Sequence, residues 1–274
     1  MDLPAARLLL VGCGKMGGAL ARGWLAAGAR AENIVAVEPA PEAAAAFSEG
    51  LRPTFVDSPG GAPPGFGPDV ILFAVKPQVM DDVVPAYARF AESGAVFLSI
   101  AAGTPIRFFE AHLSPAAPIV RSMPNTPAAV GRGVTAAICN ANVPPQGRAL
   151  CEALLRAVGE VVWVTDEAEI DAVTAVSGSG PAYVFHLVEA MTAAGVAEGL
   201  SPEAAGALAR ATVAGAGELL HRSPEDAATL RRNVTSPGGT TAAALEVLMA
   251  QDGLSALMRR AIGAAAHRSR ELGT

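Results

Sequence analysis

Charge is scarce in this 274-residue chain. Charged residues make up 17% of it, against roughly 25% in an ordinary soluble chain. No lysine- or arginine-rich run occurs and the formal net charge is −6, which argues against a nucleic-acid backbone or an anionic membrane as partner. Aromatic residues reach only 5%. Cysteine is limited to Cys13, Cys139 and Cys151, an odd number without metal-ligand spacing, so neither a disulfide framework nor a metal site is expected; reduced thiols in the cytoplasm are. Long apolar runs are missing too. Residues 8–11 are too short for a signal-peptide core, and the uncharged stretch 172–188 is interrupted by Ser-Gly-Ser-Gly-Pro, which excludes a continuous membrane-spanning helix. Lysine is absent after Lys76.

What is present is small and apolar. Hydrophobic residues make up 51% of the chain, much of it alanine. Disorder is excluded, and at roughly 150 residues per domain the length allows one large or two modest domains. Alanine suits close helix packing and loss of surface to a partner subunit, although a bias in gene composition produces the same excess. The first half alternates short apolar runs with helical segments, the rhythm of an α/β fold with a doubly wound parallel sheet. Strands are predicted at Arg7–Val11, Ile34–Glu38, Val70–Val75, Val96–Ile100, Ile119–Ser122, Val134–Cys139 and Val161–Val164, with a surface loop at 58–68. Beyond Val164 no strand candidate remains. Asp166 with Glu169 fits a capping box, and Ser201-Pro202-Glu203 and Ser223-Pro224-Glu225 repeat a helix-start signal. A dinucleotide-type domain is therefore placed at 1–165 and an all-helical domain at 166–274.

Residues 7–18 read RLLLVGCGKMGG, a strand, then Gly12, Gly14 and Gly17 spaced G-x-G-x-x-G, then a helix. The first glycine suits the tight turn, the second a close backbone approach to a pyrophosphate, the third the packing of helix on strand. The helix N-terminus adds free N–H groups and a positive dipole end. A second strand ends at Glu38, 21 residues beyond Gly17, where a carboxylate accepts hydrogen bonds from an adenosine ribose. The loop residues Gly12, Cys13, Gly14, Lys15, Met16 and Gly17, with Glu38, are the candidate cofactor contacts. An acid at Glu38 favours the free 2′-hydroxyl of NADH over the phosphate of NADPH.

Three further strand ends carry A-V-K-P (Ala74, Val75, Lys76, Pro77), A-A-G-T starting at Ala101, and M-P-N-T-P around Asn125. Open α/β sheets bind ligands at these ends. Together they are expected to face the nicotinamide, with Asn125 either bonding the ligand or pinning its loop. In the helical half, loops at 177–183 (SGSGPAY) and 233–241 (NVTSPGGTT) place hydroxyls and glycines beside helix starts, where they can gather on an anion or simply cap the helices. His112, His186, His221 and His267 lie in none of these loops, and no catalytic role is expected for them.

The chain resembles the pyrroline-5-carboxylate reductase family along nearly its whole length, through GCGKMG at 12–17, AVKP at 74–77, MPNTP at 123–127, IDAVTAVSGSGPAY at 170–183 and NVTSPGGTT at 233–241. The last two are the specific motifs. The resemblance implies a Rossmann domain followed by a helical dimerisation domain, hydride transfer from NADPH or NADH to the C=N bond of 1-pyrroline-5-carboxylate, and a homodimer or larger assembly of dimers. It further implies that backbone amides around Ser236, Thr240 and Thr241 hold the substrate carboxylate, and that the Thr241 hydroxyl bonds the ring nitrogen as the catalytic contact. Glu167 would lie near the substrate and Asn233 near the cofactor. Two other readings fit the residues. Another two-domain dehydrogenase or imine reductase would be expected to carry a catalytic lysine in the second half, and none is there. A non-catalytic dinucleotide sensor would not need a second hydroxyl-and-glycine loop.

Overall fold

The computed structural model of the protein describes residues 3–40, 42–45, 47–48 and 50–273. Eight strands, β1 (Leu8–Val11), β2 (Ile34–Val37), β3 (Thr54–Val56), β4 (Val70–Phe73), β5 (Val96–Ser99), β6 (Ile119–Met123), β7 (Gly133–Cys139) and β8 (Gly159–Trp163), form one sheet in the order β3-β2-β1-β4-β5-β6-β7-β8. In β1, β2, β4 and β5 every residue is buried, as expected for strands covered on both faces. Alternate residues feed different cores. Leu8 and Leu10 join Trp24, Leu98 and Leu154 on one face, while Leu9 and Val11 join Phe73, Tyr87 and Phe109 on the other.

The helices are α1 (Lys15–Ala26), α2 (Glu42–Ala45), α3 (Met80–Val83), α4 (Ile106–His112), α5 (Pro145–Arg156), α6 (Glu169–Val173), α7 (Gly180–Ala197), α8 (Pro202–Arg222), α9 (Ala227–Asn233), α10 (Thr240–Leu248) and α11 (Leu254–Leu272). The chain divides into two compact units. Unit 1 runs to Gly178 and takes up the chain again from Ala266; unit 2 is Ser179–Ala265. The sheet belongs to the first and is a Rossmann-type sheet; every element of the second is a helix. No helix among the described residues is long and apolar enough to cross a membrane.

Two features of the sheet differ from expectation. Strand β3, unforeseen, is a three-residue edge strand between Pro53 and Asp57, too short to show a period. Strand β7 runs antiparallel to β6, pairing Val120 with Cys139 and Met123 with Ala136, whereas the sequence pattern implied a parallel sheet throughout. The cause is the connection, a single 3-10 turn at Thr126–Val130 closed by Gly131 at φ +68, which is shorter than the dozen or so residues a parallel crossover needs. Strand β8 then returns parallel to β7 after α5.

In unit 2, α7 and α8 pack through small residues. A Cβ on Gly195 would meet Ala205 Cβ and Leu200 Cδ1 at 3.3 Å. Gly199, at φ +98, ends α7, and the Ser201 hydroxyl accepts from Ala204 N to start α8. The next start lies three residues beyond the predicted one. Ser223 Oγ accepts from Glu225 N, but Asp226 caps α9 by accepting from Thr229 N at 2.7 Å. The expected 177–183 loop is also different. Thr174–Gly178 forms one π-helical turn and Pro181 sits in the first turn of α7, so the segment is an almost continuous helical path. The Thr174 and Ser177 hydroxyls donate to the carbonyls of Ile170 and Val173, so Ser177, in the loop expected to cap a helix or meet an anion, spends its proton within the helical path.

Candidate functional site

The glycine loop between β1 and α1 is built to the tolerance its sequence suggests. Gly12 adopts φ +89, and a Cβ there would meet Val75 Cγ1 at 2.8 Å and the Ala74 carbonyl carbon at 3.0 Å. A Cβ on Gly17 would collide with Gly12 O and touch Ala74 Cβ at 3.2 Å. Gly14 has nothing within 4 Å. The first and third glycines are thus required by the protein itself, and the second faces open space. Gly14 is the N-cap of α1 without a side-chain cap bond, and Gly14 and Lys15 are exposed. With free N–H donors at a helix N-terminus, the turn has the form that accepts a phosphate.

Glu38 follows β2 and turns toward that loop. Its Oε2 accepts from Cys13 N at 2.8 Å and its Oε1 from Ala40 N at 3.0 Å. Burial, and next the Glu38 charge, push the Cys13 thiol up to about 11 while Arg22 pulls the other way, so Cys13 is a neutral packing residue at pH 7. Ala74 and Val75 lie directly behind the glycine turn. Lys76 and Pro77 follow on the surface, Pro77 opening a 3-10 turn. Ala101 is buried after β5 and its N–H donates to Ser99 Oγ.

Two predicted ligand residues are held by protein partners. Asn125 is buried; its Oδ1 accepts from Val134 N at 2.9 Å and its Nδ2 donates to Ser177 O at 3.1 Å. Of the two roles open to it, this geometry is the loop-pinning one. Glu167 Oε1 accepts both from Arg121 Nη1 and from Ile106 N, each at 2.8 Å. It joins β6, the start of α4 and the approach to α6. Arg121 was missed by the sequence reading, although an arginine inside the apolar strand Ile-Val-Arg-Ser-Met was a signal, since a buried guanidinium requires a carboxylate partner.

In unit 2, α9 ends at Asn233 and α10 begins at Thr240. Asn233 Nδ2 donates to Glu225 Oε2 at 3.0 Å. Gly238 adopts φ +70, and a Cβ on Gly239 would run into Ser236. These glycines fold Ser236 back beside the first turn of α10, where Gly239 N donates to Ser236 O at 3.1 Å. Ser236 and Thr240 are exposed and Thr241 is half-buried. The helix has no side-chain N-cap bond, so its first N–H groups suit a carboxylate. Three of the four histidines make local contacts: His112 with Asp81 and Phe108 O, His186 with Glu189, His267 with Glu271. Among the described residues no group of three His, Cys, Asp or Glu stands together to hold a metal.

The sheet order, the glycine cradle and the acid at the end of β2 define a Rossmann-type NAD(P)H-dependent oxidoreductase. Comparison narrows this. Residues 7–103 match the family described as NADP oxidoreductase coenzyme F420-dependent, and residues 167–272 match pyrroline-5-carboxylate reductase dimerisation. The chain is 43% identical over 269 residues to the pyrroline-5-carboxylate reductase of Pseudomonas aeruginosa, covering 97% of this chain and 96% of that one. It is 38% identical to that of Haemophilus influenzae, over 97% of each. A solved pyrroline-5-carboxylate reductase from Coxiella burnetii superposes with a TM-score of 0.92 at 34% identity, covering 98% and 99% of the two chains. The Plasmodium falciparum pyrroline carboxylate reductase, solved with NADP bound, does so with a TM-score of 0.81 at 29% identity, over the full length of both chains. The chain belongs to the pyrroline-5-carboxylate reductase family.

Proposed function

We propose that this protein reduces 1-pyrroline-5-carboxylate to L-proline, with unit 1 binding the dinucleotide and unit 2 the substrate. The observation that carries the site assignment is the contrast among the three glycines: Gly12 and Gly17 leave no room for a side chain, while Gly14 opens to solvent beside a helix N-terminus. Bound NAD(P)H supplies the hydride. The loop Gly12–Gly17 holds the pyrophosphate through its backbone, and the segments Ala74–Pro77 and Ala101 onward line the nicotinamide end. A protonated cyclic imine already has an electrophilic carbon, so positioning matters more than side-chain acid–base chemistry. Amides around Ser236, Thr240 and Thr241 hold the substrate carboxylate. The Thr241 hydroxyl accepts a hydrogen bond from the protonated ring nitrogen. Asn125, Glu167 and Asn233 support these loops through their own partners.

The reading favours NADH. Glu38 keeps a carboxylate at the mouth of the glycine loop, where it repels a 2′-phosphate. The apolar side chains exposed along unit 2, including Val184, Phe185, Leu187, Leu208 and Leu219, fit burial against a second copy of this chain in a homodimer. The reading places the enzyme in the cytoplasm, where the free thiols of Cys13, Cys139 and Cys151 stay reduced. Spectrophotometric oxidation of NADH and of NADPH with pyrroline-5-carboxylate tests activity and preference together. Folded protein that turns over neither overturns the assignment, and cofactor binding without turnover on small imines or ketones would favour a sensor.

A further inference from the structure

The end of the chain returns to the nucleotide unit. Residues from Ala266 belong to unit 1, and there Ser269 Oγ donates to Asp171 Oδ1 of α6 at 2.6 Å, 98 positions away in sequence. One turn later the Leu272 carbonyl oxygen reaches the strand-end loop after β5: a Cβ on Gly103 would meet it at 3.2 Å, and Gly103 itself adopts φ +72. A side chain at this position would be both tight against the Leu272 backbone and strained by the positive φ. Leu272 and Gly273 also share with Pro77, Thr104 and Phe108 the wall of a cavity of about 540 Å³. The same loop is held at its far end, where Ile106 N donates to Glu167.

We propose that the turn at 269–273, stapled to Asp171 by Ser269, is a positioning element for the cofactor-facing loop 101–105, so that this segment tunes dinucleotide affinity without touching the dinucleotide. The proposal rests on the assignment of that loop to the nicotinamide wall. A loop outside the strand ladder loses conformational freedom when a ligand orders it. A loop already ordered by packing loses less and binds more tightly.

The test uses the full-length oligomer with Ser269→Ala, Asp171→Ala and Asp171→Asn, measuring Kd for NADH and NADPH by calorimetric titration, KM for each substrate, kcat, and the thermal midpoint. Ser269→Ala and Asp171→Ala should raise the Kd and KM for the dinucleotide about three- to tenfold, the worth of one hydrogen bond. The KM for the imine should move less than about twofold under the same reasoning. Asp171→Asn, whose amide oxygen still accepts from Ser269, should restore affinity. A lowered thermal midpoint with unchanged dinucleotide Kd in both alanine variants would show a staple of structure alone and overturn the proposal. If the unmodified protein binds neither dinucleotide, the cofactor-site reading itself fails and takes this proposal with it, an outcome distinct from unaltered affinity in the variants.

Discussion

The Glu38 carboxylate and the backbone N–H of Cys13 are joined at 2.8 Å, which ties the end of β2 to the middle of the glycine loop. One side chain thereby shapes the phosphate cradle and places a negative charge beside it. Glu38→Gln separates the two effects. The amide oxygen can still accept from Cys13 N, at the loss of the exposed Ala40 N bond to the second oxygen, while the charge is gone. The ratio of kcat/KM for NADPH over NADH should rise about tenfold, equivalent to about 1.4 kcal/mol. An unchanged ratio in steady-state assays would mean that Glu38 does not face the adenosine ribose.

Gly14 and Gly17 make opposite predictions from the same motif. Gly17→Ala drives a methyl group into Gly12 O and should lower stability by about 1–3 kcal/mol, as overpacking does. At this chain length that is a fall of several degrees in Tm. Gly14→Ala meets nothing in the protein, so its Tm should hold. Its dinucleotide Kd should rise, because the methyl group occupies space left for the pyrophosphate. Thermal scans with and without NADH distinguish the two.

Much of this site was legible in sequence, for local reasons. The β1–α1–β2 segment announces itself because its three glycines stand at fixed spacing between an apolar strand and a helix, although what Gly12 packs against, Ala74 and Val75, lies far along the chain; the apolar runs of β1, β2, β4 and β5 are buried on both faces. Strand direction at β7 does not show in apolar patterning, which is the same for either orientation; it lies in the short connection, since the strands expected at Ile119–Ser122 and Val134–Cys139 leave fewer residues than a parallel crossover needs. Nor could the roles of Asn125 and Glu167 be separated from ligand binding. Their partners, Ser177 and Arg121, stand 52 and 46 positions away, and a sequence offers no distance between them. Unit 2 was legible as helices from its caps, yet Ser223 and Asp226 are both capping residues and the wrong one was read as the start of α9.

Arg121 and Glu167 form a pair whose halves are unequally buried, the side chains being 9% and 31% exposed. Removing Glu167 leaves the guanidinium buried without its carboxylate, a change worth about 3–5 kcal/mol in a fully buried pair and less here because water reaches Glu167. Glu167→Ala should therefore destabilise by roughly 1–3 kcal/mol in urea unfolding. Glu167→Gln should recover part of that, since its amide oxygen can accept from Ile106 N. A Glu167→Ala protein of unaltered stability, impaired only in substrate KM, would instead make Glu167 a substrate contact.

Burial raises both interior thiols, Cys13 to about 11 and Cys151 further. At pH 8 only about a thousandth of Cys13 is thiolate. Native protein should therefore leave both unlabelled by a thiolate-selective reagent at that pH, and unfolded protein should react at all three cysteines. The linkage has a definite sign: with a folded pKa above the unfolded value of 9.0, Cys13 contributes stability that is whole below about pH 9 and is lost as pH rises toward 11. Rapid labelling of native Cys13 at pH 8 would show that the glycine loop opens far more readily than its packing implies.

Thr241 carries the most direct test of the chemistry. It sits one residue inside α10, half-buried, while its neighbours Ser236 and Thr240 are exposed. Its hydroxyl can bond an imine nitrogen at the same helix start whose N–H groups take the carboxylate. Thr241→Val keeps the shape and the backbone donors and deletes only the hydroxyl. Losing a hydrogen bond to a charged partner costs about 1.5–3 kcal/mol, so kcat/KM should fall by roughly ten- to 150-fold. Thr241→Ser keeps the hydroxyl and should stay much closer to the parent enzyme. Binding of a non-reactive cyclic carboxylate, which needs only the N–H groups, should change little in Thr241→Val. Equal kcat/KM in Thr241→Val and the parent would remove Thr241 from the reaction and leave the backbone of α10 as the whole of the substrate site.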